Sequence, residues 1–345
     1  MTGKTLFLAC AAALAVLGAL LYRPVSDNKR QVVVYSSVDA DVALPIFADF
    51  TRETGIEVVH RLDSEETKTT GLAQRLSLMK DRPDGDVFWN SEQSMTLHLA
   101  AQGVLQSYVS PHAADIPGQY KDSQGLWTGF GCRVRVLVFN TQRVRLEDAP
   151  KSLDDFANPR WKGRIAIAKP LYGTTLSHLA ALTLAIGEEK AGALFRAWRA
   201  NAIIVAESNS DVVKRVVDGT ADIGLTDNDD AFSAQERKQP IGLIVLDQTA
   251  EWPGAFLIPN TIAMLKNCPH PVEARAFIDY LLRPETEKRL GESGAYQIPV
   301  RDVGAKAPWL KEEKLNPAKV DWQPLAEKVL PLGERAKKLL TGEEQ

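Results

Sequence analysis

The chain has no surplus of basic residues: 41 Lys and Arg stand against 44 Asp and Glu, a formal net charge of -3 at pH 7. A nucleic-acid binder needs cations to neutralise phosphates, so this balance argues against one. Cysteine is scarce, with only Cys10, Cys132 and Cys268. No CxxC or Cys/His cluster is formed, which argues against a zinc site. Cys10 lies in an apolar run, and spacing alone leaves open whether Cys132 and Cys268 pair. The histidines, His60, His98, His112, His178 and His270, are scattered without HxxH spacing. There is no G-x-S-x-G turn, and no histidine sits in a context that suggests a nucleophile–base pair. Internal repeats and low-complexity segments are also lacking. These absences point away from an enzyme and toward a binder.

Hydrophobic residues make up 45% of the chain and charged residues 25%, the profile of an ordinary globular protein with a sizeable core. A length of 345 residues suits one large or two medium domains. Lys4 precedes an uncharged stretch from Leu6 to Tyr22, which Arg23 and Pro24 end. This reads as a Sec-type leader, either cleaved or kept as a membrane anchor; both put the body outside the cytoplasm. Phe7-Leu8-Ala9-Cys10 has the look of a lipoprotein box, but the apolar segment before it is too short. Residues 1–30 are thus leader or anchor plus linker.

The body alternates strand and helix. Gln31 to Tyr35 is a β-branched run that predicts a strand. Apolar residues at helical spacing follow, from Val42 to Phe50, and Gly55 stops that helix. Ile56–Val59, Asp86–Trp89, Val134–Phe139, Arg164–Ala168, Ile203–Val205, Ile223–Leu225 and Ile258–Leu265 read as further strands, most with a helix after them. A βαβ series of this kind implies parallel pairing.

Polar residues cluster where strands hand over to helices: Ser36-Ser37, Asn90-Ser91-Glu92, Tyr172-Gly173-Thr174-Thr175, Ser208-Asn209-Ser210 and Asp227-Asn228-Asp229-Asp230. In open α/β sheets, ligands sit beyond the carboxyl ends of strands, where helix N-termini offer unpaired N–H groups to anions. The same residue types also serve as plain N-caps, so each turn has two readings. The aspartate turn is the most unusual. Three carboxylates this close repel one another unless a cation is present, and an oxygen-rich set suits hard cations such as Fe³⁺, Ca²⁺ or Mg²⁺. Arg133 and Arg135 share a strand face, for an inter-lobe salt bridge or a bound oxyanion. His178 lies one helical turn after Thr174. Trp89 reads as a wall of the cleft or as core.

From residue 31 onward the sequence resembles type II periplasmic binding proteins of the ferric-iron type, solute-binding protein family 1. The likeness rests on "VVVYSSVDADVALPIFADFTRETGIEV", "DVFWNSEQ", "FGCRVRVLVFNT", "WKGRIAIAKP" followed by "YGTT", and "ESNSDVVKRVVDGTADIGLTDNDDA" in that order. It implies a two-lobed α/β fold, each lobe a mixed, mostly parallel sheet flanked by helices, joined by crossing hinge strands. Lobe 1 would take 31–130 and 255–308, and lobe 2 would take 131–254 and 309–345. It also implies a monomeric receptor in the periplasm that serves an ABC permease and its ATPase. No cofactor is expected; the cargo would be Fe³⁺ or another hard cation with a synergistic anion. By position in the motifs, Glu92, Asp229 and Asp230 would bind the metal. Ser36, Ser37, Arg133, Tyr172, Gly173, Thr174, Asn209, Asp227 and Asn228 would bind the ligand or anion. The sequence departs from the family at two places. Asp229-Asp230 stands where iron binders carry a tyrosine pair, and Ser36-Ser37-Val38-Asp39 stands where many carry a histidine. A small organic oxyanion or amine, such as an aminoalkyl phosphonate, phosphate ester, thiamine or polyamine, is the alternative cargo.

Overall fold

The computed structural model describes residues 30–63, 70–249, 252–304 and 315–343. The apolar leader, and with it the anchor expectation, lies outside these. No helix among the described residues is long and apolar enough to cross a membrane.

Period-two and period-3.6 patterning builds the elements as expected from the sequence. β1 (Gln31–Ser36) leads into α1 (Ala40–Thr54), which ends at Gly55 in the left-handed conformation, φ 69°. That φ needs glycine, and the Gly55 N–H returns to the Thr51 carbonyl. β2 (Glu57–Leu62), α2 (Thr70–Leu78), β3 (Val87–Asn90), α3 (Ser94–Ala101) and the short β4 (Leu105–Gln106) follow. β5 (Thr128–Asn140) is the longest strand, and all thirteen of its residues are buried. After it come β6 (Ile165–Ala168), α4 (Gly173–Ile186), α5 (Glu188–Ala200), β7 (Ile204–Ala206), α6 (Asn209–Val217), β8 (Ile223–Asp227), α7 (Asn228–Glu236) and β9 (Ile241–Val245). The chain closes with β10 (Leu257–Leu265), α8 (Pro271–Leu281), α9 (Pro284–Glu292) and α10 (Leu325–Thr341).

The strands form one curled sheet in the order β2-β1-β3-β10-β5-β8-β6-β7, with β4 beside β10 and β9 beside β5. The βαβ units pair in parallel, β1 with β2 and β3, and β6 with β7 and β8. The crossing strands pair antiparallel: β10 with β3, β4 and β5, and β5 with β8 and β9. β5 is shared by the two halves. Its Thr128–Val134 stretch pairs with β10, and its later stretch pairs with β8 from the Arg135–Asp227 register onward. Val134, Val136 and Val138 point to one face and pack with Val212 and Val216 of α6; Leu137 and Phe139 point to the other. Burying side chains of this size contributes ~1.5–3 kcal/mol each.

Several elements were not readable beforehand. β5 begins at Thr128, ahead of the expected Val134, because Gly129 and Gly131 interrupt the apolar pattern. β9 is half-buried and carries Gly242, where a Cβ would collide with the Phe139 ring. α5 and α10 also went unassigned. α10 contains Pro331, yet it packs Leu332, Ala336 and Leu339 into the core and touches α3, α4 and α5. Its contacts reach both sides of β5: the Ala326 carbonyl is bonded to His98 Nδ1 at 3.1 Å, and Gly333 lies against Leu176. Cys132 and Cys268 are both free thiols.

Candidate ligand-binding site

The carboxyl ends of β1, β3, β6 and β8 converge where β5 passes between the two halves. Two adjoining cavities open there. The first, about 70 Å³, is lined by Tyr172, Gly173, Thr174 and Thr175 at the start of α4, by Ser208, Asn209 and Ser210 at the start of α6, and by Lys169. Gly173 turns the chain into α4 at φ 60°, a left-handed conformation that suits glycine. Two helix N-termini make this side attractive to an anion, and Lys169 stands beside them paired with Glu207 at 2.6 Å. The second cavity, about 110 Å³, is lined by Val38, Asp41 and Val42 around α1, and by Ser233, Asn260 and Gln297. Asp39, Ser91, Arg133, Asp229 and Asp230 line both.

Behind the first cavity lies a buried polar network around Asp227, complete but for Arg135 Nε, which has no partner among the described residues. Arg135 donates to Asp227 Oδ1 at 2.8 Å, to Thr174 Oγ1 at 3.1 Å and to Thr175 Oγ1 at 3.3 Å. Thr174 Oγ1 donates to Asp227 Oδ2 at 2.5 Å, and Asn209 Nδ2 donates to the same oxygen at 3.0 Å. Burial works against the Asp227 charge, but Arg135 and Arg133 outweigh it and hold the carboxyl below its ordinary range.

At the cavity surface the charges are less well matched. Arg133 donates to the Ser91 carbonyl at 2.7 Å, but stands 3.4 Å from Asp227 and 3.5 Å from Asp229. Burial opposes the Arg133 charge, and Asp229, Asp227, Asp39 and Asp230 more than offset that, so its pKa rises. Burial, together with Asp227 and Asp39, pushes Asp229 up to about 6, against the pull of Arg133. Burial, together with Asp229 and Asp227, pushes Asp230 up to about 8; Thr226 Oγ1 donates to its Oδ2 at 2.9 Å. Single carboxylate oxygens of Asp227, Asp229 and Asp230 all lie within 4.8 Å of one another. An oxygen-only set at this spacing suits a hard cation, which would relieve the crowding that holds protons on it.

The structure sorts the residues proposed from sequence. Asp229, Asp230, Arg133, Tyr172, Gly173, Thr174 and Asn209 line the first cavity. Asp227 is wholly buried behind it, within the carboxylate cluster. The other four are corrected. Glu92 is 0% exposed and away from both cavities. Its carboxylate caps α3, accepting from the Ser94 N–H at 2.5 Å and the Met95 N–H at 3.0 Å, and also from Asn90 Nδ2 and Ser177 Oγ. A carboxylate with four donors has little left for a metal. Ser37 is buried, donating to Asn90 Oδ1 at 2.6 Å and accepting from the Ser91 N–H at 2.9 Å. Ser36 accepts from the Val38 N–H. Asn228 accepts from the Val134 N–H at 2.8 Å and donates to the Tyr296 carbonyl at 2.8 Å, which fastens α7 to β5. Trp89 is core, edge-on to Phe47. His178 is buried against Phe256, and burial and Arg135 lower its pKa well below the ordinary value, so it is neutral.

Sequence reasoning missed Asp39, Asp41, Lys169, Ser233, Asn260 and Gln297. Asp39 and Asp41 were legible as acidic residues at the start of a helix that follows a strand. Asn260 and Gln297 gave no signal, because they reach the cavity only through the return of β10 and the loop after α9.

A model of the family described as bacterial extracellular solute-binding protein matches residues 86–327. The Fe(3+)-binding periplasmic protein of Serratia marcescens is 27% identical over 295 residues, 84% of this chain and 85% of that one. The major ferric iron-binding protein of Neisseria meningitidis serogroup A is 27% identical over 267 residues, 75% of this chain and 78% of that one. Among solved structures, iron-bound HitA from Pseudomonas aeruginosa matches with a TM-score of 0.78 at 25% identity, over 89% of this chain and 99% of that one. The ferric binding protein from Campylobacter jejuni matches with a TM-score of 0.80 at 21% identity, over 89% of this chain and 99% of that one. The fold is thus of the type II periplasmic binding kind.

Proposed function

The chain belongs to the bacterial extracellular solute-binding protein family, and from that premise we propose that it is the extracytoplasmic receptor of an ABC-type importer, with ferric iron and a synergistic anion as cargo. The relatives named above are ferric-iron binders. The observation that carries the reading to this chain is the carboxylate cluster at the start of α7, whose Asp229 and Asp230 line the cleft. In this reading Asp229 and Asp230 bind the metal through hard oxygen ligands, and Asp39 faces them from the other half of the sheet. The anion sits at the N-termini of α4 and α6 beside Lys169. Arg133 lies between metal and anion and can neutralise either the aspartates or the anion as the cleft fills. Residues 31–130 with 255–308, and 131–254 with 309–345, act as two lobes that hinge at β5 and β10, the usual route by which such receptors couple closure to cargo. The membrane permease and its ATPase receive the closed form.

Calorimetric titration of residues 31–345 with Fe³⁺ in citrate or phosphate tests this. Binding that is lost when Asp229 and Asp230 are both replaced by Asn is the expected result. Absence of heat with every ferric–anion pair rejects iron as the cargo.

A further inference from the structure

The second cavity differs in chemistry from the anion side, and beyond the wall it shares with the first, at Asp39, Ser91, Arg133, Asp229 and Asp230, the metal-and-anion reading does not use it. It is lined by Asp39 and Asp41 from around the start of α1, by Asp229 and Asp230, and at its inner end by Asn260 and Gln297. Asn260 is 1% exposed. Its Nδ2 donates to the Gly131 carbonyl at 2.7 Å and to Gln297 Oε1 at 2.9 Å, which leaves Oδ1 as a buried acceptor without a partner. A buried polar atom left unpaired is costly, and one beside a cavity can be satisfied by a bound group. The lining offers acceptors in excess: four carboxylates and an amide carbonyl, against one arginine. The cavity, about 110 Å³, is larger than a single water requires.

We infer that this chamber is a subsite for a hydrogen-bond-donating arm of the cargo, a hydroxyl or amine borne by an organic chelator. The acidic lining, the orphaned Asn260 acceptor and the shared wall at Asp229 and Asp230 carry the inference. It rests on the proposal that the cargo is a metal with an accompanying ligand. The metal and its anionic donors occupy the first cavity and the boundary, and the donor arm crosses beneath Arg133 toward Asn260 and Asp41. Selection is then for a class of chelate as well as for an ion: a chelator without O–H or N–H leaves the Asn260 acceptor unsatisfied, and such buried polar gaps discriminate strongly.

Three ferric complexes of equal net charge test this on residues 31–345. N-(2-methoxyethyl)iminodiacetate has no O–H or N–H on its third arm. N-(2-hydroxyethyl)iminodiacetate carries a hydroxyl there, and ethylenediamine-N,N-diacetate carries an amine. The expected result is at least tenfold tighter binding of one or both donor-bearing complexes than of the methoxyethyl complex; whichever is tighter names the donor. Asp41→Ala and Asn260→Ala should each cut that ratio to within about twofold. Asn260→Ala also removes two structural hydrogen bonds, so its thermal unfolding is measured in parallel. If it does not fold, Asp41→Ala, at an exposed position, decides. Equal affinity for all three complexes, or a ratio unchanged by Asp41→Ala, overturns the subsite while leaving iron capture intact. Failure to bind any ferric complex overturns both.

Discussion

Arg133 and Arg135 lie two residues apart on one face of β5, and their surroundings differ. Arg135 is 2% exposed and is held by Asp227, Thr174, Thr175 and Asn209 at hydrogen-bond distance. Arg133 is 10% exposed at its side chain, with one short bond, to the Ser91 carbonyl, and two carboxylates at 3.4 and 3.5 Å. The first arginine belongs to the framework and the second to the cleft. The same division separates Asp227, charged and held by two arginines, from Asp229 and Asp230, which burial and neighbouring aspartates push up to about 6 and 8. Where the protein completes its own hydrogen bonds it has built scaffold; where it leaves charge unbalanced it has left room for cargo.

The sharpest way to break this comparison is Arg135→Met. It removes the shortest ionic contact of the buried Asp227 and leaves it only Arg133, at 3.4 Å, as a cation, which should cost ~3 kcal/mol, so a loss of that size in urea unfolding is expected. A stability change no greater than that of Arg133→Met would erase the distinction. Next in size, Asp229→Asn with Asp230→Asn should weaken ferric binding at least 100-fold, about 2.7 kcal/mol, while the ligand-free protein unfolds at the same or a higher temperature. Weaker ligand-free stability would instead place these aspartates in the framework. Glu92→Gln should act on the scaffold side: a loss of ~1–3 kcal/mol from the disrupted cap of α3, with ferric affinity unchanged in titration. A collapse of affinity with stability intact would restore Glu92 as a ligand.

The smallest effect is in pH. Asp230 titrates at about 8 in the folded chain, against an ordinary value of 3.8. Between these values the folded state holds a proton that the unfolded state has lost. Ligand-free stability therefore falls as pH rises from about 4 to about 8. Asp230→Asn should flatten that slope in thermal scans, and Asp227→Asn should shift the fall to lower pH, since the Asp227 charge helps hold the proton on Asp230.

Much of the site was legible because it lies at places where sequence and chain direction coincide. Tyr172 to Thr175, Ser208 to Ser210 and the aspartate turn each follow a β-branched strand and open a helix, and such junctions fall at the carboxyl edge of a sheet. The inner end of the second cavity was hidden, because Asn260 sits within β10 and Gln297 follows α9. Glu92 and Ser37 misled for a related reason. They are polar and sit at the right edge, but they are already bonded: Glu92 to its neighbours Asn90, Ser94 and Met95 and to the distant Ser177, and Ser37 to Asn90 and Ser91 across the sheet.

The sequence by itself determined the alternation of strand and helix, the edge at which polar turns collect, and the concentration of carboxylates at the start of α7, because these follow from local periodicity and spacing. Only the tertiary structure decided which polar atoms remain available. Helix capping and cross-strand bonding depend on groups brought together from distant parts of the chain, 169 positions apart in the case of Thr261 and the Glu92 carbonyl. A side chain already satisfied by such neighbours has no capacity left for a ligand, and no local pattern records that.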